Sequence, residues 1–221
     1  MAVAETPGGG CRVIYFATSS SPTIRQHMAD GSLGMMTTPK DGRSPAGAKV
    51  WAADNGCFGK GYPGDDAYMA WLRKHAEHAS RCVFATAPDV IGDAAATLTR
   101  SAPFYAPIRE LGYPVALVAQ DGLTPDVVPW DQIDALFIGG TTEFKLGAEA
   151  RTLIAEAKKR DVFVHMGRVN SRKRIRYAKS VGADSVDGTF LAFGPDVNLP
   201  KLLGWLREAT EQMMLRVVGV A

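Results

Sequence analysis

Short, almost wholly apolar runs alternate with longer stretches of helical period along most of this chain. The runs at 12–17, 49–53, 81–85, 114–119, 135–139, 162–166 and 184–187 read as strands. The stretches 65–79, 94–111, 145–160, 171–181 and 199–215 read as helices. Several strands are nearly continuous in apolar residues, as expected when helices cover both faces of a sheet. Strand–helix alternation predicts parallel strands joined by right-handed crossovers. Seven strands stand out, and an eighth is expected within 18–48 or near Leu191. Eight would close a TIM-barrel-like (β/α)8 fold, and fewer would leave an open doubly wound sheet. The prediction is the barrel, with an irregular or missing unit near the N-terminus. Gly139-Gly140 and Gly112-Tyr113-Pro114 punctuate the units. No linker interrupts them, so residues 11–221 are expected to form one domain. Residues 18–47, rich in Ser, Thr, Pro and Gly, read as a long loop or lid.

Composition narrows the class without choosing a function. The chain has 221 residues, 46% hydrophobic and 22% charged, ordinary values for a globular protein with a single core. A net charge of +2 creates no global field toward nucleic acid or membrane, so any electrostatic argument must be local. No apolar run approaches the roughly 20 residues that a membrane helix needs. Residues 1–10 lack a basic start and a long apolar core, and are expected to be a flexible tail rather than a targeting segment. The three cysteines (Cys11, Cys57, Cys82) are widely spaced with no CxxC pair. That argues against a disulfide framework or a cysteine zinc site, and fits a reducing, cytoplasmic setting.

The chemistry lies at the strand exits. Asp54, Asp89 and Asp187 each follow a hydrophobic run, and Asp54 and Asp187 each precede a glycine within two residues. Active sites of parallel barrels sit at the C-terminal ends of their strands. Gln120, Gly139-Gly140 and Met166-Gly167 fall at the same rim as the three acids. Paired carboxylates suit chemistry at a sugar–base bond. One can capture C1′ of an oxocarbenium-like transition state as a covalent ester, and another can move protons to and from the bases. By strand alternation, Asp184 should face away from Asp187. Asp93 reads as the cap of the helix beginning near Ala94, and His165 as a structural residue at the rim.

Five segments carry a resemblance to the tRNA-guanine transglycosylase superfamily. Asp54-Asn55-Gly56-Cys57-Phe58 is similar to that family's Asp-Ser-Gly-Gly-Tyr/Phe, and Ala119-Gln120-Asp121-Gly122 to its Val-Gln-Gly-Gly. Phe137-Ile138-Gly139-Gly140 resembles its glycine pair, and His165-Met166-Gly167 its Leu-Met-Gly. Gly182-Ala183-Asp184-Ser185-Val186-Asp187 resembles its Gly-Ile-Asp-Met-Phe-Asp. The segments occur in the family's order. The resemblance implies Asp187 as nucleophile, Asp54 as general acid and base, and Asp89 on the base's Watson–Crick edge. It further implies that Gln120, with the Gly139-Gly140 pair, contacts O6. Phe58 and Met166, beside Gly167, would sandwich the ring. It implies exchange of guanine for a 7-deazaguanine co-substrate with no redox cofactor.

The departures redirect the substrate. Transfer-RNA-acting members carry a late zinc site of cysteines and histidine, whereas this chain has no cysteine after Cys82 and is far shorter. The better resemblance is to the compact DNA-acting branch, the DpdA-type proteins of phages and bacteria, which place 7-deazaguanines such as preQ0 in DNA. Cys57 stands where the family has glycine. Arg168, Arg172, Lys173, Arg174, Arg176 and Lys179 form a cluster without an acid among them. If Asn170 or Ser171 caps that helix, Arg172 and Lys173 oppose its dipole, at about 0.3–1 kcal/mol each. Phosphate contacts would explain this, and Arg168, Arg172, Lys173 and Arg174 are the expected backbone contacts. The target nucleotide would have to be flipped out or single-stranded. The expected partners are DNA and a free deazapurine, with no metal, cofactor or membrane. A second copy or an accessory protein is left open. Alternatives are the same reaction on tRNA, a phosphate-binding barrel of aldolase or isomerase type, and a catalytically silent nucleic-acid-binding subunit.

Overall fold

The computed structural model describes residues 12–59 and 61–217, and side chains as far as residue 211. The expected tail, 1–10, and Cys11 lie outside the described residues. Eight parallel strands close into a barrel in sequence order. They are β1 (Ile14–Ala17), β2 (Gly34–Thr37), β3 (Trp51–Ala53), β4 (Cys82–Thr86), β5 (Val115–Ala119), β6 (Ala135–Ile138), β7 (Phe163–Met166) and β8 (Ser185–Asp187). β8 returns to β1 with Phe16 opposite Asp187, so no strand edge is left open. The barrel expectation holds, and the eighth strand is β2, within 18–48.

The helical layer departs from the sequence expectation in four places, each with a local cause. Residues 18–47 are not an unstructured lid. They hold α1 (Pro22–Asp30) and β2, followed by two short 3₁₀ turns. Ser21 caps α1 with Pro22 at its start, and Gly31 ends it at φ 85°, a conformation that favours glycine. The helix expected at 65–79 ends earlier, as α2 (Asp65–Lys74), and continues as a 3₁₀ segment. The helix expected at 94–111 is two, α3 (Ala94–Ser101) and α4 (Tyr105–Glu110), parted by a 3₁₀ turn that contains Pro103. The helix expected from 145 is also two, α5 (Thr142–Leu146) and α6 (Ala148–Lys159), separated by the extended Gly147. α7 (Arg172–Ser180) is capped by Ser171, and α8 (Pro195–Val217) closes the ring. No helix among the described residues is long and apolar enough to cross a membrane.

Strand alternation sorts the core into two layers. Outward residues such as Trp51, Leu117, Ile138, Val164 and Met166 pack under the helices. Inward residues fill the barrel: Phe16, Met36, Ala52, Phe84, Ala116 and Ala135, with Phe137 and Phe163 against them. Phe84 sits at the centre, its ring centroid 6.1 Å from Phe16, 6.0 Å from Phe137 and 6.2 Å from Phe163. Offset and edge-on contacts of this kind add to the area they bury. Gly34 is glycine because a Cβ there would stand 2.4 Å from the Phe16 ring. The lower barrel is therefore a solid plug, and chemistry is confined to the mouth above it.

Phe84→Ala should destabilise the protein by about 3–5 kcal/mol, since the closed barrel cannot collapse around the void. Urea unfolding followed by circular dichroism would measure this.

Candidate active site

Inward parity carries four chains of contact up to the mouth. Asp54 lies two residues beyond the inward Ala52, and its N–H donates to Thr37 O at 3.0 Å. Gln120 lies two beyond Val118, Gly139 two beyond Phe137, and Asp187 two beyond Ser185. Asp184, one step out of phase, faces the helices and pairs with Lys158 at 2.8 Å. Asp93 caps α3 by accepting from Ala96 N at 2.9 Å. Both match the sequence expectation.

Asp89 is buried and tied at both oxygens. Asn55 Nδ2 donates to Oδ1 at 3.0 Å, and Gln120 Nε2 to Oδ2 at 2.6 Å. Asn55 is fixed in turn. Its Nδ2 also reaches Ala87 O, its backbone N–H donates to Thr86 Oγ1, and its Oδ1 accepts from Cys57 N at 2.8 Å. Thr86 Oγ1 also reaches Ala53 O, beside the register shift between β3 and β4. The Gln120 carbonyl accepts from Gly92 N at 3.0 Å and Gly140 N at 3.1 Å. The expected contacts to a purine O6 therefore bond to each other here, and a bound base must exchange with them. Burial raises the Asp89 carboxyl, while the Asn55 and Gln120 hydrogen bonds pull it back.

Asp187 is held differently. Its Oδ1 accepts from Arg168 N at 2.6 Å, and its Oδ2 lies 3.3 Å from His165 Nε2. The next residue must be glycine, because a Cβ on Gly188 would meet Asn170 Oδ1 at 2.2 Å and Val169 O at 2.7 Å. Asp54 has no side-chain donor among the described residues. Burial pushes its pKa up to about 7, and the carboxylates of Asp187 and Asp89 add to the rise. The two outermost acids of the sequence reading thus feel each other's charge at one mouth.

Several expected site residues sit elsewhere than expected. Met166 cannot clamp a base as placed: it alternates with the inward His165, is 2% exposed, and packs in the layer beneath the helices. Phe58 does stand at the mouth, 61% exposed on a short 3₁₀ turn. Its ring is covered by the Arg168 guanidinium, 4.4 Å from the centroid. Arg168 also donates to Gly140 O. Arg168 is therefore not a free phosphate contact; it folds across the mouth from a backbone at φ 60°, a strained conformation for arginine. Arg172, though exposed, is engaged by Glu208 at 2.7 Å; Lys173 beside it is exposed and Arg174 partly buried. Gly139 and Gly167 leave no room for side chains: a Cβ would stand 2.8 Å from Val118 and from Phe137 respectively.

Three residues escaped the sequence reading. His165 is not at the rim but fully buried inside the barrel, with Ser185 beside it. Lys145 is 1% exposed, and its Nζ donates to Gly167 O at 3.0 Å. Burial and the Arg168 guanidinium lower its pKa to about 8, against the pull of Asp187. Lys145 could not be found from sequence because a lysine at the start of the expected helix 145–160 looks solvated. A groove of about 680 Å³ lined by Asp65, Val90, Arg100 and Phe104 lies on the flank between α2 and α3. No group of three or more His, Cys, Asp or Glu residues placed to hold a metal occurs among the described residues.

Fold and site together define the chain as a (β/α)8 barrel with an acidic cluster at its C-terminal mouth. A chain of the tryptophan synthase α2β2 complex of Pyrococcus furiosus is similar over 93% of this chain and 98% of its own, at 16% identity and a TM-score of 0.55. Tryptophan synthase from M. tuberculosis matches over 90% and 92%, at 14% identity and 0.55. The 3-hexulose-6-phosphate synthase of Salmonella typhimurium matches over 89% and 99%, at 11% identity and 0.52. These are barrel enzymes, and at such identities the likeness is one of fold. No protein-family model and no curated protein matches the sequence.

Raising the Asp54 pKa to about 7 has a consequence for stability. Between its ordinary value and about 7 the unfolded chain loses the proton and the folded chain keeps it. Folding stability therefore declines as pH rises through that window and levels off above it. Thermal unfolding at pH 5 and pH 8 should show that Asp54→Asn removes part of this decline.

Proposed function

We propose that this protein is a pentosyltransferase that exchanges guanine in DNA for a 7-deazaguanine, preQ0 or a derivative. The observation that carries the reading is the pair Asp187 and Asp54. One carboxylate accepts from the Arg168 N–H and lies beside the His165 imidazole, and the other keeps a proton to near neutral pH, at the same mouth. A carboxyl that keeps its proton near neutral pH, beside a second carboxylate free to attack, is what such an exchange requires of its acid. Asp187 attacks C1′ as the C1′–N9 bond breaks, and the bonding electrons leave with guanine. Asp54 supplies the proton that the departing base takes up. Asp54 then removes the N9 proton of the incoming deazapurine, N9 attacks C1′, and the ester bond breaks to return the Asp187 carboxylate. The Asp89–Asn55–Gln120 network offers a buried polar edge for a purine, and the ring would replace the Arg168 guanidinium on Phe58. DNA is favoured over tRNA because this sequence has no cysteine after Cys82 to build the zinc site of the tRNA-acting members, while the basic α7 suits either polyanion.

Nucleoside mass spectrometry of DNA from cells expressing this chain with preQ0 should reveal a 7-deazaguanine that disappears in Asp187→Ala. Finding none in DNA, with a labelled base entering tRNA instead, would move the activity to RNA. On the active substrate, kcat/KM should fall as pH rises through about 7, because the first displacement uses protonated Asp54. Asp54→Asn should lower it by about 10²–10⁴-fold and flatten that limb.

A further inference from the structure

His165 and Ser185 are register partners on β7 and β8, so both project into the barrel directly beneath Asp187. His165 Nδ1 lies 2.8 Å from Ser185 Oγ, and its Nε2 lies 3.3 Å from Asp187 Oδ2. The imidazole is fully buried and walled by aromatic rings, with centroids 4.4 Å away at Phe137 and 5.1 Å at Phe84. Among the described residues the Ser185 hydroxyl has no other hydrogen-bond partner. A carboxylate can only accept, and a serine hydroxyl has one hydrogen to donate. One arrangement uses every hydrogen: Ser185 O–H donates to Nδ1, and Nε2–H donates to Asp187. A proton on Nδ1 would leave the hydroxyl hydrogen buried without an acceptor, which is costly.

We propose that His165 is a positioning residue for Asp187, and that Ser185 sets its tautomer. This rests on the reading of Asp187 as nucleophile. The imidazole N–H and the Arg168 backbone N–H then grip one carboxylate oxygen each and fix the plane of the attacking group. Once an ester has formed, the same two donors favour release of the carboxylate as the second bond to C1′ is made. In the transglycosylase segments that this chain resembles, the positions of His165 and Ser185 read Leu and Met. The two polar residues therefore arrive together, as a touching pair, where the resembled segments have apolar ones.

The test has two arms. Long-range ¹H–¹⁵N NMR of ¹⁵N-histidine-labelled protein reads the tautomer without any substrate. The wild type should show Nε2–H with bare Nδ1 at His165, and Ser185→Ala should mix the tautomers. Transglycosylation kinetics form the second arm. His165→Leu should lower kcat by about 10- to 100-fold, the worth of one hydrogen bond to a charged group, and Ser185→Ala by a smaller factor set by the fraction of imidazole that loses its Nε2–H, with KM nearly unchanged in both. His165→Gln, which retains an N–H donor, should recover part of the loss. A wild-type imidazole carrying its proton on Nδ1, or equal kcat for wild type and both Ser185→Ala and His165→Leu, would overturn the proposal. A wild type that transfers no base but shows the Nε2–H imidazole with its Ser185 dependence removes the transglycosylase reading and upholds the pairing.

Discussion

Everything at the mouth depends on the two-residue alternation of side chains along eight strands that close on themselves, with a register shift where β3 meets β4. In an open sheet a strand can slip and present its other face. In a closed barrel a one-residue slip would exchange the interior and helix-facing sets together, so each register is pinned by two neighbours. That constraint places Asp54 and Asp187 above the aromatic plug and Asp184 on the outer side with Lys158. It also sends Met166 outward while His165, one residue earlier, goes in.

Crowding three carboxylates into one mouth costs stability, and each is accommodated by different means. Asp89 takes two amide donors from Asn55 and Gln120. Asp187 takes a backbone N–H and lies beside an imidazole. Asp54 has no side-chain donor among the described residues, and the backbone N–H groups of Gly56 and Asn55 only partly offset burial and the neighbouring carboxylates, so it holds its proton to about pH 7. Buried Lys145 and the arching Arg168 supply positive charge close by, and burial, with repulsion by Arg168, lowers the lysine. Concentrated, mutually opposed charges and a non-glycine residue at positive φ recur at functional sites of proteins in general.

Much of the fold was legible along the chain. Buried parallel strands are apolar on both faces, so several of the seven expected appeared as nearly continuous runs; Asp93 marked the helix start that it caps, and of Asn170 and Ser171 it is Ser171 that caps α7. Errors came where a local break competes with helical period. Pro103 divided one expected helix, and Gly147 another. The Ser21-Pro22 start and Gly31 stop of α1 were present in a stretch whose Ser, Thr and Pro content suggested a loop.

By itself the sequence determined the alternation of strands and helices, their caps, and which acids stand at strand ends, because these follow from neighbours a few residues apart. Tertiary structure alone decided that Asp54 and Asp187 share an electrostatic field, that Gly140 N–H is already engaged by Gln120, and that Arg168 covers Phe58. It alone set Ser185 against His165 and buried Lys145. These are contacts between strand ends and loops far apart in the chain. They exist only after ring closure brings those ends together, and no local pattern encodes the distance between them.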